Sequence, residues 1–230
     1  MMKVCFAGIK QSIMASCMVL AFLLGACTVQ NSGSLLDNRQ GKEKNEPAAS
    51  SGDVATSNPK AFSTTFKADY LKPLQAIRSP SVSIQKEKRR LYVFNQDTLV
   101  REYPIGLGSN PVGDKEKDSD GRTPEGEFYI CGKKEGDGGK KFLIISYPSR
   151  KHAEKAHFQG ILPSAGVSGI LQSLEKRTQP PAGTPLGGNV GIQGGGAHED
   201  WTTGSVALYD SDMAELYIIA DLGTPVYIRP

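Results

Sequence analysis

One stretch near the C-terminus concentrates the residue types that could do chemistry. Residues 191–208 are rich in glycine and contain His198, Trp201 and Ser205. Trp201 is the one tryptophan of the chain, and His198 is one of its three histidines. A serine hydroxyl can act as a nucleophile in acyl transfer when a positioned base takes its proton. Ser205 is therefore a candidate nucleophile.

The elements that must position this stretch are mostly strands. From about residue 81, short apolar or alternating runs are separated by turns, which is typical of β-structure. Strands are predicted over residues 82–84, 91–94, 99–103, 126–130, 142–145, 189–192 and 226–228. Helices are predicted over 153–158 (after a capping Ser149), 167–174 and 213–220, the last capped by Asp210 or Ser211. The sequence therefore predicts a mainly β domain with a few helices.

Composition excludes several functional classes. The chain has 230 residues and a net charge of +3, so it lacks the strongly basic character of nucleic-acid-binding proteins. Its four cysteines match no zinc or redox spacing, and its three histidines lack ligand spacing. Asp114, Asp118 and Asp120 resemble a calcium loop only in part and are interpreted as a solvated turn. We expect no metal, cofactor or nucleic acid.

The first segment predicts export. Residues 1–26 combine Lys3 and Lys10 with an apolar run and then small residues, which is the pattern of a secretory signal. Residues 24–27, Leu-Gly-Ala-Cys, resemble a bacterial lipobox, in which Cys27 is lipidated and becomes the new N-terminus. The alternative is an ordinary signal peptide with an incidental cysteine. Thr28 rather than Asp follows Cys27, so we expect a lipoprotein on the periplasmic side of the outer membrane.

The next segment predicts a spacer. Residues 27–79 are mostly polar, with serine, glycine and proline, and bury too little apolar surface to offset chain entropy. We therefore expect a lipidated N-terminus and disordered tether over 27–79, followed by one domain over 80–230.

Several motifs in the domain occur in the order of a known family. They are Gly106–Lys115, Asp120–Tyr129, Ser146–Pro148, Leu186–Gly194 and Asp200–Leu208, followed by the closing residues 212–217 and 223–226. In this set and order they resemble the L,D-transpeptidase catalytic domain, also called the YkuD domain. The resemblance covers residues 81–230 and implies a YkuD-like β-sandwich.

The resemblance also implies a reaction. In this family a cysteine thiolate attacks a peptidoglycan stem peptide, a histidine acts as the base, and an acceptor amine or water resolves the thioester. Backbone N–H groups around the nucleophile would bind the oxyanion, and Gly204 before it would let the substrate approach closely. The implied partner is the stem peptide of peptidoglycan.

This chain departs from the family at both reacting positions. Ser205 stands where the family has cysteine, and Gln193 stands where it has histidine. A serine hydroxyl is barely acidic, and a glutamine amide does not titrate, so the pair should not support the family mechanism. His198 could replace the base if the glycine-rich loop carried it to Ser205, with Glu199 or Asp200 orienting it. The alternative is a solvated loop histidine; His152 and His157 are expected on the surface.

Three functions remain open from the sequence. The first is a catalytically degenerate domain that binds stem peptides. The second is an active serine variant, a transpeptidase or carboxypeptidase that uses Ser205 and His198. The third is a structural module whose groove binds a protein partner. An open groove at the site would favour the first two, and a blocked groove would favour the third.

Overall fold

The computed structural model describes residues 67–230, which form nine strands and three α-helices. The strands are β1 (Lys67–Ala68), β2 (Pro80–Gln85), β3 (Arg90–Asn95), β4 (Thr98–Pro104), β5 (Gly126–Glu135), β6 (Lys141–Ile145), β7 (Gly191–Gln193), β8 (Val206–Ala207) and β9 (Pro225–Arg229). The helices are α1 (Arg150–Phe158), α2 (Ser164–Glu175) and α3 (Asp210–Ile219), and two short 3-10 helices cover Leu74–Ala76 and Asp137–Gly139.

The strands form one mixed sheet in the order β1-β4-β3-β2-β9-β5-β6-β7-β8. Strand β5 belongs to both halves: it pairs with β9 on one side and with β6 on the other, and an irregularity between Ile130 and Gly132 changes its register. A bulge of this kind bends a strand and lets one chain segment serve two sheet surfaces. The candidate site lies in the half formed by β6, β7 and β8.

Alternation along the strands builds the core. In β2 and β3, Val82, Ile84, Leu91 and Val93 have no exposed surface, while the residues between them are partly exposed. These side chains belong to one hydrophobic cluster that also contains residues of β6, β7, β8 and α3. A second cluster joins α1 and α2 through residues such as Ala153 and Ile170. The mainly β fold with a few helices is confirmed.

The helix predictions are confirmed in position, and the cap of α3 differs from the prediction. Ser149 precedes α1, as expected, whereas the N-cap of α3 is Tyr209, and Asp210 is already the first helical residue. The carboxylate of Asp210 instead accepts the backbone N–H of Gly195 at 2.9 Å. An acidic residue in the first turn still interacts favourably with the helix dipole.

Two side-chain predictions are corrected. His152 is 4% exposed rather than on the surface, because it packs against the rings of Phe128 and Tyr147. The turn that contains Asp120 is not simply solvated, since the carboxylate pairs with the buried ammonium of Lys115 at 2.7 Å. Cys131 lies inside β5, and burial raises the pKa of its thiol to about 11.

The segment before β2 contains regular structure. Lys67–Ala68 pair in parallel with Thr98 and Leu99 of β4, within the region for which the sequence predicts a tether up to residue 79. The predicted signal segment, Cys27 and residues 27–66 of the tether lie outside the described residues. None of the helices within residues 67–230 is long and apolar enough to cross a membrane.

Candidate active site

The hydroxyl of Ser205 takes part in the pairing of β7 with β8. The two strands run parallel, with Ile192 opposite Val206 and Gln193 opposite Ala207. One residue earlier, the backbone N–H of Gly191 donates to Ser205 Oγ at 3.2 Å. The side-chain oxygen therefore continues the hydrogen-bonding pattern of the strands. Ser205 is half-buried, and its side-chain oxygen is occupied by the hydrogen bond from Gly191.

The turn before Ser205 is fixed by Thr202 and Gly204. Thr202 is buried; its hydroxyl donates to the carbonyl of Ser205 at 2.6 Å and accepts the N–H of Gly204 at 3.1 Å. Gly204 has φ +141°, and a Cβ there would lie 2.8 Å from the carbonyl oxygen of Arg122. Only glycine fits this conformation and this close approach without strain. The backbone conformation of Gly204 thus determines the position of Ser205.

Gln193 faces an open groove. The groove has a volume of about 490 Å³, and it is lined by the loop after β5, the start of β6, residues 193–195, Trp201 and the first turns of α3. Gln193 belongs to this lining and Ser205 does not. The two residues thus lie on paired segments of the sheet, but only Gln193 can contact a molecule bound in the groove.

Trp201 has two structural roles. Its indole N–H donates to the carbonyl of Gly196 at 3.1 Å, which ties the glycine-rich loop together. The ring is 42% exposed, lines the groove, and packs so close to Gly195 that a Cβ there would lie 2.9 Å from it. Trp201 therefore both fixes the loop and forms one wall of the groove.

His198 lies on another surface. Its imidazole is 64% exposed, and its Nε2 is 3.4 Å from a carboxylate oxygen of Glu199. It lines a separate cleft with Arg89, Arg90 and Pro104. Among the hydrogen bonds of residues 67–230, none joins His198 to Ser205. The structure therefore brings Gln193 and Gly204 to the strand pair of Ser205, and it places His198 apart from them.

Asp200 anchors the loop that carries these residues. Its carboxylate accepts hydrogen bonds from two nitrogens of the Arg89 guanidinium, and the shorter of these is 2.7 Å. It also accepts a hydrogen bond from the backbone N–H of Leu107 at 2.8 Å. Bidentate contacts between arginine and carboxylate are among the stronger and more directional polar interactions. Asp200 thus orients the loop rather than His198. No local pattern indicates that its partner is Arg89, more than a hundred residues earlier.

A buried ammonium lies beneath the turn at Gly204. Lys115 is 3% exposed; its Nζ contacts Asp120 at 2.7 Å and the carbonyl of Thr203 at 3.4 Å. Burial raises the pKa of Asp120, but the hydrogen bonds from Lys115 and three backbone N–H groups outweigh it and hold that pKa below its ordinary value. The site therefore includes an ion pair that sequence reasoning missed. The short separation of Lys115 and Asp120, five residues along the chain, was the available signal.

Comparison with known families gives the assignment of the domain. A model of the family YkuD, the L,D-transpeptidase catalytic domain, matches residues 80–228. The chain belongs to this family. The resemblance seen in the sequence motifs is thereby confirmed, and the fold is of the L,D-transpeptidase type.

Several solved structures are similar to this chain at low sequence identity. An L,D-transpeptidase from Xylanimonas cellulosilytica is 13% identical, with 66% of this chain and 60% of that chain covered and a TM-score of 0.39. The helical cell shape determining protein Pgp2 from Campylobacter jejuni is 17% identical, with 68% and 53% covered and a TM-score of 0.44. The chain thus spans between half and two thirds of the length of these proteins. A comparison with curated proteins found no match.

Proposed function

We propose that this L,D-transpeptidase-family domain binds peptidoglycan stem peptides without turning them over. The observation that carries the proposal is the arrangement of two residues. Ser205, at the nucleophile position, has its oxygen engaged by the N–H of Gly191, and Gln193, at the base position, is an amide that does not titrate. A serine without a positioned base is a poor nucleophile. The pair therefore lacks the acid–base chemistry on which the family mechanism depends.

The groove suits a peptide ligand. Its volume of about 490 Å³ is in the range typical of ligand sites. Trp201 offers an aromatic face, Gln193 offers an amide that can both donate and accept, and Lys140 and Lys141 provide positive charge for peptide carboxylates. The groove is open rather than filled by side chains, which favours a retained small ligand over a protein partner that has taken over the site.

The second candidate, an active serine enzyme that uses His198, has less support. His198 Nε2 lies 3.4 Å from a carboxylate oxygen of Glu199, and His198 lines a cleft that does not include Ser205. Lys115 is the nearest cation to the turn at Gly204, but its ammonium is paired with Asp120 and is not a free base. No specific contact favours acyl transfer through Ser205.

We further propose that the chain is anchored as a lipoprotein through Cys27, on the periplasmic side of the outer membrane. The support is the sequence alone: a signal-like segment, the residues Leu24–Cys27 and the absence of aspartate after Cys27. The polar segment that follows would let the domain reach the peptidoglycan layer.

Fluorescence of Trp201 provides the test of binding, because it is the one tryptophan of the chain and lines the groove. The full chain is titrated with a purified tetrapeptide stem, and the products are followed by chromatography. We expect a saturable change in emission with the tetrapeptide recovered intact. Ala214→Phe, which places a ring in the groove, should abolish the change.

Ala165→Phe is the matched control, because Ala165 is exposed on α2 and belongs to no wall of this groove. This variant should bind like the native chain. An unchanged emission of the native chain at millimolar tetrapeptide would contradict stem-peptide binding. Release of the terminal amino acid would instead contradict the absence of turnover.

A further inference from the structure

A second group of polar side chains lies at the start of α1. Ser149, His152 and Asp114 come from the start of α1 and from the loop after β4. Ser149 Oγ is 2.7 Å from His152 Nδ1, and His152 Nε2 is 3.0 Å from a carboxylate oxygen of Asp114. No local pattern indicates this group, and His152 was expected on the surface.

The contacts determine which nitrogen of His152 carries the proton. The backbone N–H of Ser149 points at Nδ1 at 3.3 Å, so Nδ1 is an acceptor. The hydroxyl of Ser149 then donates to the same nitrogen, and Nε2–H donates to Asp114. An unprotonated ring nitrogen at a serine hydroxyl, with the opposite N–H on a carboxylate, is the arrangement that general-base activation of serine requires.

Asp114 is held as a carboxylate and in a fixed position. Its two oxygens receive the N–H of Glu125 at 2.7 Å, the ammonium of Lys151 at 2.6 Å and the imidazole of His152. Burial raises the pKa of Asp114, but these hydrogen bonds outweigh it and keep the pKa well below its ordinary value. The ring of His152 is fixed further by Tyr147, whose ring centroid is 4.9 Å away. The orientation of the His152 ring is therefore fixed by Asp114 and by Tyr147.

The hydroxyl of Ser149 opens into a cleft. The cleft has a volume of about 340 Å³, and its lining includes apolar side chains from Phe128, Leu174 and Pro225. Arg177 also lines it, with its guanidinium 4.5 Å from the centroid of the Tyr129 ring. A short acyl chain fits the apolar wall, and an anionic group fits Arg177. The first-turn N–H groups of α1 point toward the N-terminus of the helix, where they can hold a developing negative charge.

The geometry points to a second, serine-dependent esterase site, with Ser149 as nucleophile, His152 as base and Asp114 as its positioning residue. The substrate class is a short-chain acyl ester that carries an anionic group. Ser149 Oγ would form a bond to the acyl carbon as its proton passes to His152 Nδ1. The ester C–O bond then breaks, and the leaving alcohol takes that proton. Water, deprotonated by His152, next releases the acid and restores the Ser149 hydroxyl.

Helix capping alone explains the contact of Ser149 with His152, so the test must separate the two roles. The pattern Ser-x-x-Gln caps helices as well as Ser-x-x-Glu does. His152→Gln therefore keeps a capping side chain at this position and removes the base. Ser149→Ala removes the nucleophile. Thermal unfolding of each variant reports the structural role separately from the chemistry.

The experiment treats the full chain with a fluorophosphonate and maps the adduct by peptide mass spectrometry. We expect an adduct on Ser149, none on the exposed Ser164 at the start of α2, and at least about a 100-fold slower reaction in His152→Gln. Hydrolysis of p-nitrophenyl acetate should fall equally, and Asp114→Asn should lower kcat while leaving KM unchanged.

Three results would overturn this inference. They are a native chain that stays unlabelled while folded, an adduct on Ser205 or Ser164 in place of Ser149, and a His152→Gln variant that reacts at the native rate. The last result would leave Ser149 and His152 as a helix cap only. None of these outcomes depends on stem-peptide binding, so the two proposals fail separately.

Discussion

The hydroxyl of Ser205 accepts a hydrogen bond from the backbone N–H of Gly191, and this contact gives the residue a structural role in the site. The N–H belongs to a buried residue of β7, and the oxygen lies one position before β8. The contact joins Ser205 to the strand that carries Gln193, because Gln193 lies two residues after Gly191 in β7. A side chain that fills a strand pairing is held in place, but it is not activated.

Removal of this oxygen should destabilise the domain. In Ser205→Ala the buried N–H of Gly191 loses its acceptor, so we expect the free energy of unfolding to fall by about 1–3 kcal/mol. Urea unfolding measures the change. Thr203→Ala, two residues before it in the same turn and exposed, should stay within about 0.5 kcal/mol of the native chain. Equal stabilities of the two variants would refute the structural role of Ser205.

The loop that carries the groove should depend on Asp200. Asp200→Ala removes the bidentate contact with Arg89 and leaves the N–H of Leu107 without its acceptor. We expect a loss of about 2 kcal/mol in the free energy of unfolding, together with weaker tetrapeptide binding in the Trp201 titration.

The matched control for Asp200 is the ion pair of Arg90 with Glu102, which is 42% and 36% exposed. Exposed pairs contribute about 0–1 kcal/mol. Glu102→Ala should therefore change stability little and leave the titration unaltered. If Glu102→Ala weakened binding as much as Asp200→Ala, the loop would not be the element that Asp200 controls.

The buried ion pair under Gly204 should matter far more than a surface pair. Lys115→Met leaves the carboxylate of Asp120, 8% exposed, without its ammonium, and we expect a loss of about 3 kcal/mol or more in unfolding free energy. Lys155→Met breaks a pair that is 48% and 45% exposed and should lose less than about 1 kcal/mol. Calorimetry or urea unfolding compares the two. Similar losses in unfolding free energy would show that burial does not determine how much these ion pairs contribute to stability.

Acid should unfold the domain through Asp114 and Asp120. Hydrogen bonds lower the pKa of both carboxyls in the folded state despite their burial, from an ordinary value of 3.8. A lowered folded pKa contributes stability that is complete above the unfolded pKa and is lost as the pH falls below it. We therefore expect the melting temperature to be flat above about pH 5 and to drop below about pH 4. Asp120→Asn should make this drop shallower; an equally steep drop would contradict the assignment.

Much of the fold was predictable from local patterns. Alternation of apolar residues predicted β2, β3 and β9, and Ser149 predicted the start of α1, because these signals depend on neighbours in sequence. Strand β8 was missed since it has two residues and is held by its pairing with β7. The continuation of β5 past Cys131 was missed because the change of register between Ile130 and Gly132 is a tertiary feature.

The candidate site was predictable only as a set of residues. The motifs placed Gln193, Gly204 and Ser205 together, and the strand pairing brings them together. The position of His198 could not be predicted, because a glycine-rich loop permits many paths. The fixing contacts of the loop come from Arg89 and Leu107, which are distant in sequence. Burial of His152 follows from aromatic neighbours on β5 and before α1, which no local pattern reveals.

We propose that Ser205 is not an acylating nucleophile. Intact-protein mass tests this after the full chain is mixed with tetrapeptide muropeptides, with a Ser205→Cys, Gln193→His double variant run beside it. We expect the native chain to stay unmodified and the double variant to form an acyl adduct, because the variant places a thiol and an imidazole at the two positions that the sequence motifs assign to the family's nucleophile and base. An acyl adduct on Ser205 of the native chain would show that the proposal is wrong.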